Sequence, residues 1–322
     1  MASYKKSDAR TYCKDNMKGI WAAIPYPFDK NDNIDEDAYR ADIRHYIDDL
    51  DIKGFFIGGM IGEFWCMTKE ERLRGQEISC DEAGDVPIIA HTGHTSAKEA
   101  VELTNAAAEA GATYAILANP YLGAQGIPER VRAYFKYVCD NVDLGVSLFN
   151  TGATGYSLSP QLIKELVGDN ENICCVKNAQ PKYHCDEVRH AVGDDIVVSD
   201  PMETQWFYNR AYHKQQTFMS GPDPFLYQRT GNLTMQKYTD LIDVGNVDEA
   251  WTASEVMNPM RRVMDKWIWG PWSRGAFPIP ALKYWMSLMG MSGGPSRAPM
   301  IPLTADEKKE LEGDLRGVGL ID

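Results

Sequence analysis

At 322 residues, with 44% hydrophobic and 25% charged side chains, the chain has the composition of a globular protein and enough apolar material for a large core. A formal charge of −13 argues against nucleic acid as a partner, since phosphate binding needs clustered Lys and Arg. No apolar stretch reaches bilayer length and residues 1–6 lack the apolar run of a secretion signal, so a cytoplasmic protein with no membrane partner is expected.

Apolar runs alternate with amphipathic stretches along most of the chain. Strands are predicted at 20–24, 54–58, 87–91, 114–118, 145–149, 173–177, 196–199 and 217–220. Helices are predicted at 35–50, 68–83, 96–110, 128–141, 159–167, 183–192 and 203–214. Ile43, Tyr46 and Ile47 keep helical spacing in the first, and Thr68-Lys69-Glu70-Glu71 is a capping box opening the second. Eight strands alternating with helices across short connections predict an α/β fold, a (β/α)8 TIM barrel over residues 1–225. A doubly wound open sheet is the weaker architecture, because no G-x-G-x-x-G follows the first strand. Residues 226–322 read as helices at 234–244, 247–267, 281–289 and 304–316, a C-terminal helical appendage packed on the barrel.

The sixth strand carries the most informative residue. Ile173-Cys174-Cys175-Val176-Lys177-Asn178 is an apolar run that ends on a cation, bounded by polar residues on both sides. A lysine on a buried strand is costly unless it is paired, neutralised or used chemically. Burial lowers an amine's pKa, and a neutral amine can attack a carbonyl to form a Schiff base. The other reading open at this point is a lysine that snorkels to the rim or pairs with a carboxylate.

Other constellations carry less. The seven cysteines (13, 66, 80, 139, 174, 175 and 185) are odd in number and lack zinc spacing, and they are expected to be reduced. His91-Thr92-Gly93-His94 offers two imidazoles beyond strand three but no third ligand, so hydrogen bonding at the rim is favoured over metal and none is expected. Glu63 reads as structural. Asp200 and Asp223 follow strands seven and eight, where each could face substrate or simply start an Asp-Pro turn. Aromatics gather near strand ends (Trp65, Tyr121, Phe149, Trp206) and on the appended helices (Trp267, Trp269, Trp272). Packing is the default for most of them, since tryptophan is costly to expose.

These strand ends resemble the dihydrodipicolinate synthase/N-acetylneuraminate lyase family of class I aldolases over nearly the full length. The resemblance rests on Gly58-Gly59-Met60-Ile61-Gly62-Glu63 with Met67-Thr68 after strand two, and Ile89-Ala90-His91-Thr92-Gly93 after strand three. It continues in Ala118-Asn119-Pro120-Tyr121, in Phe149-Asn150 with Gly155, in Val176-Lys177-Asn178-Ala179, and in Gly293-Gly294-Pro295-Ser296-Arg297-Ala298-Pro299. It implies a barrel, commonly a homotetramer, whose strand-six lysine forms an imine with a 2-oxo acid. Lys177 holds that position.

The departures are as informative. The two small hydroxyl residues that usually bind the substrate carboxylate are Met60 and Ile61 here, which leaves backbone amides and Thr92 as donors or implies a less polar head group. Phe149 stands where the family usually has its proton-carrying tyrosine, and Thr154 lies near the place of an arginine often found after it. Tyr121, Tyr156, Asp200, Glu203, Asp223 or a water could replace the tyrosine, and spacing does not rank them. More loosely, the chain is similar to the hydratase-aldolases. The expectation is a cofactor-free Schiff-base lyase, aldolase or hydratase-aldolase in type, and a homo-oligomer (tetramer or dimer). Its expected substrate is a 2-oxo acid or related carbonyl compound with a bulky tail, aromatic or otherwise. Lys177 supplies the amine, Gly59, Met60, Ile61 and Thr92 hold the head, and Trp65, Tyr121, Phe149 and Trp206 line the rest. The same imine also suits a dehydratase or decarboxylase, and a barrel that binds a small molecule without catalysis is the rival from another class.

Overall fold

A computed structural model describes residues 3–322. Eight parallel strands run β1 (Gly19–Ala23), β2 (Gly54–Ile57), β3 (Ile88–His91), β4 (Tyr114–Ala118), β5 (Gly145–Thr151), β6 (Ile173–Ala179), β7 (Val197–Ser199) and β8 (Thr217–Phe218). They pair in the order β7-β6-β5-β4-β3-β2-β1-β8. At the β7/β8 seam side chains replace the ladder. The Ser199 hydroxyl points its one hydrogen between the carbonyls of Thr217 (3.2 Å) and Met219 (3.3 Å) and accepts from the Met219 amide (2.9 Å). Gln215 adds bonds from its amide to the carbonyls of Asp200 and Thr217. The result is a nearly closed (β/α)8 barrel.

Helices α1 (Ala9–Asn16), α2 (Glu36–Asp48), α3 (Lys69–Ala83), α4 (Ala97–Ala110), α5 (Pro128–Asp140), α6 (Pro160–Asp169), α7 (Lys182–Val192) and α8 (Glu203–His213) surround the sheet. The capping box at Thr68 and Glu71 opens α3, with both reciprocal bonds formed. Alternation along β4–β6 sends Ala115, Leu117, Leu148 and Val176 outward, into one cluster with Val131, Phe135, Leu162 and Val188 of the helices.

After β8 come α9 (Asp223–Tyr227), α10 (Thr234–Asp243), α11 (Val247–Glu255), α12 (Asn258–Met264), a π turn (Asp265–Trp269), α13 (Gly270–Ser273), α14 (Ile279–Leu288) and α15 (Ala305–Gly317). The stretch 247–267, expected as one helix, is therefore interrupted. Pro259 lacks the N–H that a continuous helix needs, and it opens α12 at a position where that donor would go unused. Helix α1 was not anticipated, and the division expected after residue 225 falls inside α9. Met235, Tyr238, Leu282 and Trp285 of the later helices share one buried core with Trp21, Phe55 and Phe218 of the barrel. No helix among the described residues is long and apolar enough to cross a membrane.

Candidate active site

The position of Lys177 follows from strand register. Parallel pairing sets Phe149 of β5 beside Lys177 of β6 and Ser199 of β7 beyond it, so neighbouring side chains share a face at the C-terminal end of the barrel. The next residue, Asn178, turns outward. Its side chain accepts from Asn150 (2.8 Å) and contacts Nδ1 of His184 (3.1 Å) and the Cys185 thiol (3.2 Å), which ties the ends of β5 and β6 to α7.

The Lys177 amine reaches a cavity of about 530 Å³, its open mouth included. Its Nζ donates to the Ser220 carbonyl at 2.5 Å and lies 4.5 Å and 4.8 Å from the ring centroids of Phe56 and Phe149. A carbonyl and two ring faces do not neutralise an ammonium. Burial accordingly lowers its pKa from 10.5 to about 7, opposed by the negative charge of Asp223. At pH 7 about half of such amines are neutral, against roughly one in three thousand for an ordinary lysine. That fraction is what a nucleophile needs.

Around the amine the lining is mostly apolar. Ala23, Phe56, Phe149, Met60 and Ile61 come from the strands and the loop after β2, and Pro201 and Met202 from the loop after β7. Trp269 and Trp272 from the appended helices complete the wall, with Ser220, Gly221 and Thr151 as smaller elements. Among the described residues the amides of Gly59, Met60, Ile61 and Gly62 donate to no protein acceptor. They form a set of free donors at one end of the cavity, able to receive an anionic oxygen.

The loop that carries these amides is clamped from below. Glu63 has φ 54° and a fully buried carboxylate that pairs with Lys283 at 2.5 Å and accepts from the Arg297 amide at 3.1 Å. Arg297 in turn forks onto Glu71 at 2.8 Å and 2.6 Å and stacks 3.9 Å from the Phe28 ring centroid. The C-terminal Gly293–Pro299 stretch thus holds the loop after β2 in place.

The anticipated residues part into two groups. Gly59, Met60, Ile61, Phe149 and Lys177 converge on the cavity. Thr92, Trp65, Tyr121 and Trp206 lie outside its lining. Thr92 is fully buried and accepts from the Thr104 hydroxyl at 2.7 Å. Trp65 stacks on Phe277 (4.9 Å), which in turn meets Trp272 (5.1 Å), so it backs the aromatic wall from outside. Tyr121 is 43% exposed. Trp206 is a core residue: its indole donates to Thr239 at 2.8 Å and its ring meets Phe218 edge-on. The physical reason is its place on α8, which turns it toward α10, while Pro201 and Met202 occupy the strand end.

Phe56, Met202, Ser220, Gly221, Trp269 and Trp272 line the cavity and were not anticipated as site residues. Phe56 had a usable signal, since Phe55 and Phe56 occupy opposite faces of β2 at the strand end. Nothing in the pattern announced that Trp269 and Trp272, some ninety positions beyond Lys177, fold back over it.

The imidazoles of the His91–His94 pair are engaged separately. His91 is buried against Phe64, with burial and then Arg72 holding its pKa well below the usual range, and His94 Nδ1 accepts from the Ser96 amide. No cluster of three or more His, Cys, Asp or Glu side chains that could hold a metal occurs among the described residues. All seven cysteines are free.

The fold recurs in known proteins. The N-acetylneuraminate lyase of Clostridium perfringens is 33% identical over 186 residues, which cover 57% of this chain and 64% of the lyase. The chain therefore spans slightly less than two thirds of that relative's length. The 4-hydroxy-tetrahydrodipicolinate synthase of Maridesulfovibrio salexigens is 28% identical over 315 residues, covering 95% of this chain and 99% of the synthase. A crystal structure of a dihydrodipicolinate synthase superposes with a TM-score of 0.81 at 25% identity, covering 94% of this chain and all of that one. The sequence model of the dihydrodipicolinate synthetase family matches residues 16–317, through the barrel and its helical extension alike, and the chain belongs to that family.

Proposed function

We propose that this protein is a lysine Schiff-base lyase of the aldolase type, acting on a 2-oxo acid with a bulky apolar tail. One observation carries the reading: the Lys177 amine is buried in a cavity, bonded to a carbonyl and not to a carboxylate, with a pKa near 7. Family membership supports the same chemistry.

In this scheme neutral Lys177 adds to the C2 carbonyl. The carbinolamine loses water to an iminium that draws electrons from C3. The C4 hydroxyl then loses its proton and the C3–C4 bond breaks, giving an enamine and a free carbonyl compound, or a C3 proton is lost to form the enamine and the C4 hydroxyl, protonated, departs as water. Protonation at C3 and hydrolysis return the amine. The amides of Gly59–Gly62 are suited to the substrate carboxylate, because a backbone donor survives replacement of a hydroxyl residue by Met60 or Ile61. Phe56, Phe149, Trp269 and Trp272 suit a large apolar tail and exclude water from the imine. The head-group role expected for Thr92 and the tail role expected for Trp206 pass to these residues. A homo-oligomer, dimer or tetramer, belongs to this reading, and light scattering on the purified protein measures it.

The test is reductive trapping. With borohydride and a panel of pyruvate, 2-oxobutyrate, phenylpyruvate and an aromatic ylidene-pyruvate, a mass increment localised to Lys177 is expected, strongest for the bulky acids. Silence across the panel favours the rival reading, a barrel that binds a small molecule without catalysis. The observation on that side is Phe149 in place of a proton-carrying tyrosine, beside Lys177.

A further inference from the structure

We propose that Asp223, packed against Gly221 at the head of α9, is the proton carrier that works with Lys177. The inference rests on the Schiff-base reading and supplies the acid–base group that Phe149 cannot.

Three contacts support it. Gly221 lines the cavity and follows Ser220, whose carbonyl receives the Lys177 amine. A Cβ on Gly221 would come within 2.2 Å of Asp223 Oδ2, so the missing side chain makes room for that oxygen next to the cavity wall. The other carboxylate oxygen accepts from the indole N–H of Trp269 at 3.2 Å, and Trp269 itself lines the cavity. Asp223 is 1% exposed and Oδ2 has no hydrogen-bond partner. A buried oxygen left unpaired behind the cavity wall, near enough to the Lys177 amine for their charges to interact, is poised to take or give a proton.

The neighbouring carboxylate shows why the role falls to Asp223. Glu203 of α8 is equally buried, but Arg261 forks onto it at 2.8 Å and 2.7 Å and Tyr238 donates to it at 2.8 Å. The local cation is thus committed. The charged and titratable groups around Asp223 are Glu203, Lys177 across the cavity wall, Tyr227 on its own helix and Tyr238 of α10. Burial, then the Glu203 charge, raise its pKa to about 7, while the Trp269 bond and Lys177 oppose the rise. Amine and acid therefore exchange protons at little cost near neutrality.

The proton balance is simple. Asp223 as the acid protonates the carbinolamine hydroxyl, which leaves as water and yields the iminium. Asp223 as the carboxylate then removes the C3 proton, giving neutral enamine and carboxylic acid, and the reverse transfer reprotonates C3.

Deuterium exchange at C3 of pyruvate, followed by proton NMR in D2O, reads this transfer directly, and borohydride trapping on the same samples reads the imine. In D223N the Lys177 adduct is expected to persist while exchange falls at least about a hundredfold. Exchange at the wild-type rate in a D223N protein that still traps pyruvate would overturn this proposal and leave the Schiff-base reading intact. A wild-type protein that gives neither adduct nor C3 exchange with pyruvate or with any other 2-oxo acid of the trapping panel overturns both. Should D223N lose both signals, W269F decides. Losing the indole donor raises the Asp223 pKa, so the pH profile of exchange must move upward, and an unmoved profile overturns the proposal.

Discussion

Two buried lysines show how surroundings separate an amine without a counter-charge from one held in an ion pair. Lys283 of α14 is 2% exposed and Lys177 of β6 is 5% exposed, and each lies near an aromatic ring face. Burial pushes both pKa values down. What differs is the partner. Lys283 contacts the Glu63 carboxylate at 2.5 Å and donates to the Pro295 carbonyl at 3.0 Å, so its charge is matched and its role is to fasten the loop after β2. Lys177 has a carbonyl only, beside open volume. An ion pair fixes charge, whereas a lone amine in an apolar cavity sheds it.

The comparison breaks most sharply at Lys177 itself. K177M is expected to abolish the borohydride adduct and to lower turnover by about 10⁴-fold or more, since the nucleophile is removed outright. Its thermal midpoint should hold or rise, because the exchange replaces an uncompensated amine with an apolar side chain of similar length. A marked fall in that midpoint would mean that Lys177 is structural.

The converse holds for the other amine. K283M leaves Glu63 buried and unpaired, with an expected loss of about 3–5 kcal/mol in chemical denaturation. A K283M/E63Q double substitution should recover much of that loss, and in both proteins the adduct should still form at Lys177 at low temperature. A normal denaturation midpoint for K283M would remove the structural role assigned to the pair.

A similar contrast separates two tryptophans. W206A should lose about 3–5 kcal/mol of stability with KM for a bulky 2-oxo acid nearly unchanged. W269A should raise that KM about tenfold or more with a smaller loss of stability, because its ring lines the cavity. Equal effects on KM would erase the distinction between core and wall.

The pH dependence sharpens the picture further. The Lys177 pKa is depressed, so the neutral fraction grows as pH rises toward about 7 and levels off above it. Imine formation should therefore climb about tenfold per pH unit on the acid side and fall again above neutrality, where Asp223 in its proposed role loses the proton that dehydration needs. Since the Asp223 charge holds the amine's pKa up, D223N should shift that limb to lower pH. The smallest effect is expected at the head group: I61T offers one hydroxyl beside the free amides and should tighten pyruvate by a factor of about 5–10, measured by calorimetric titration.

Much of the fold was legible in the chain. Alternating apolar runs and capping signals, such as Thr68 with Glu71, are local, and the period of a pattern reports its element. Lys177 was legible for the same reason, because a cation ending a buried apolar run is anomalous on any reading. The π turn and the break at Pro259 were blurred by an apolar pattern that continues through both. Trp206 and Trp269 could not be sorted at all, since each is an aromatic on a helix and only the packing partner tells core from cavity wall.

By itself, the sequence determined the succession of strands and helices, the strand that bears the buried amine, and the absence of hydroxyl and phenol groups at Met60, Ile61 and Phe149. Each of these is a property of residue type and near neighbours. The tertiary structure alone decided that Lys177 is unpaired while Lys283 is paired, that Trp269 and Trp272 close over the barrel mouth, and that Asp223 lies against Gly221. Those relations join residues tens to hundreds of positions apart, and burial and charge act through space without regard to their order along the chain.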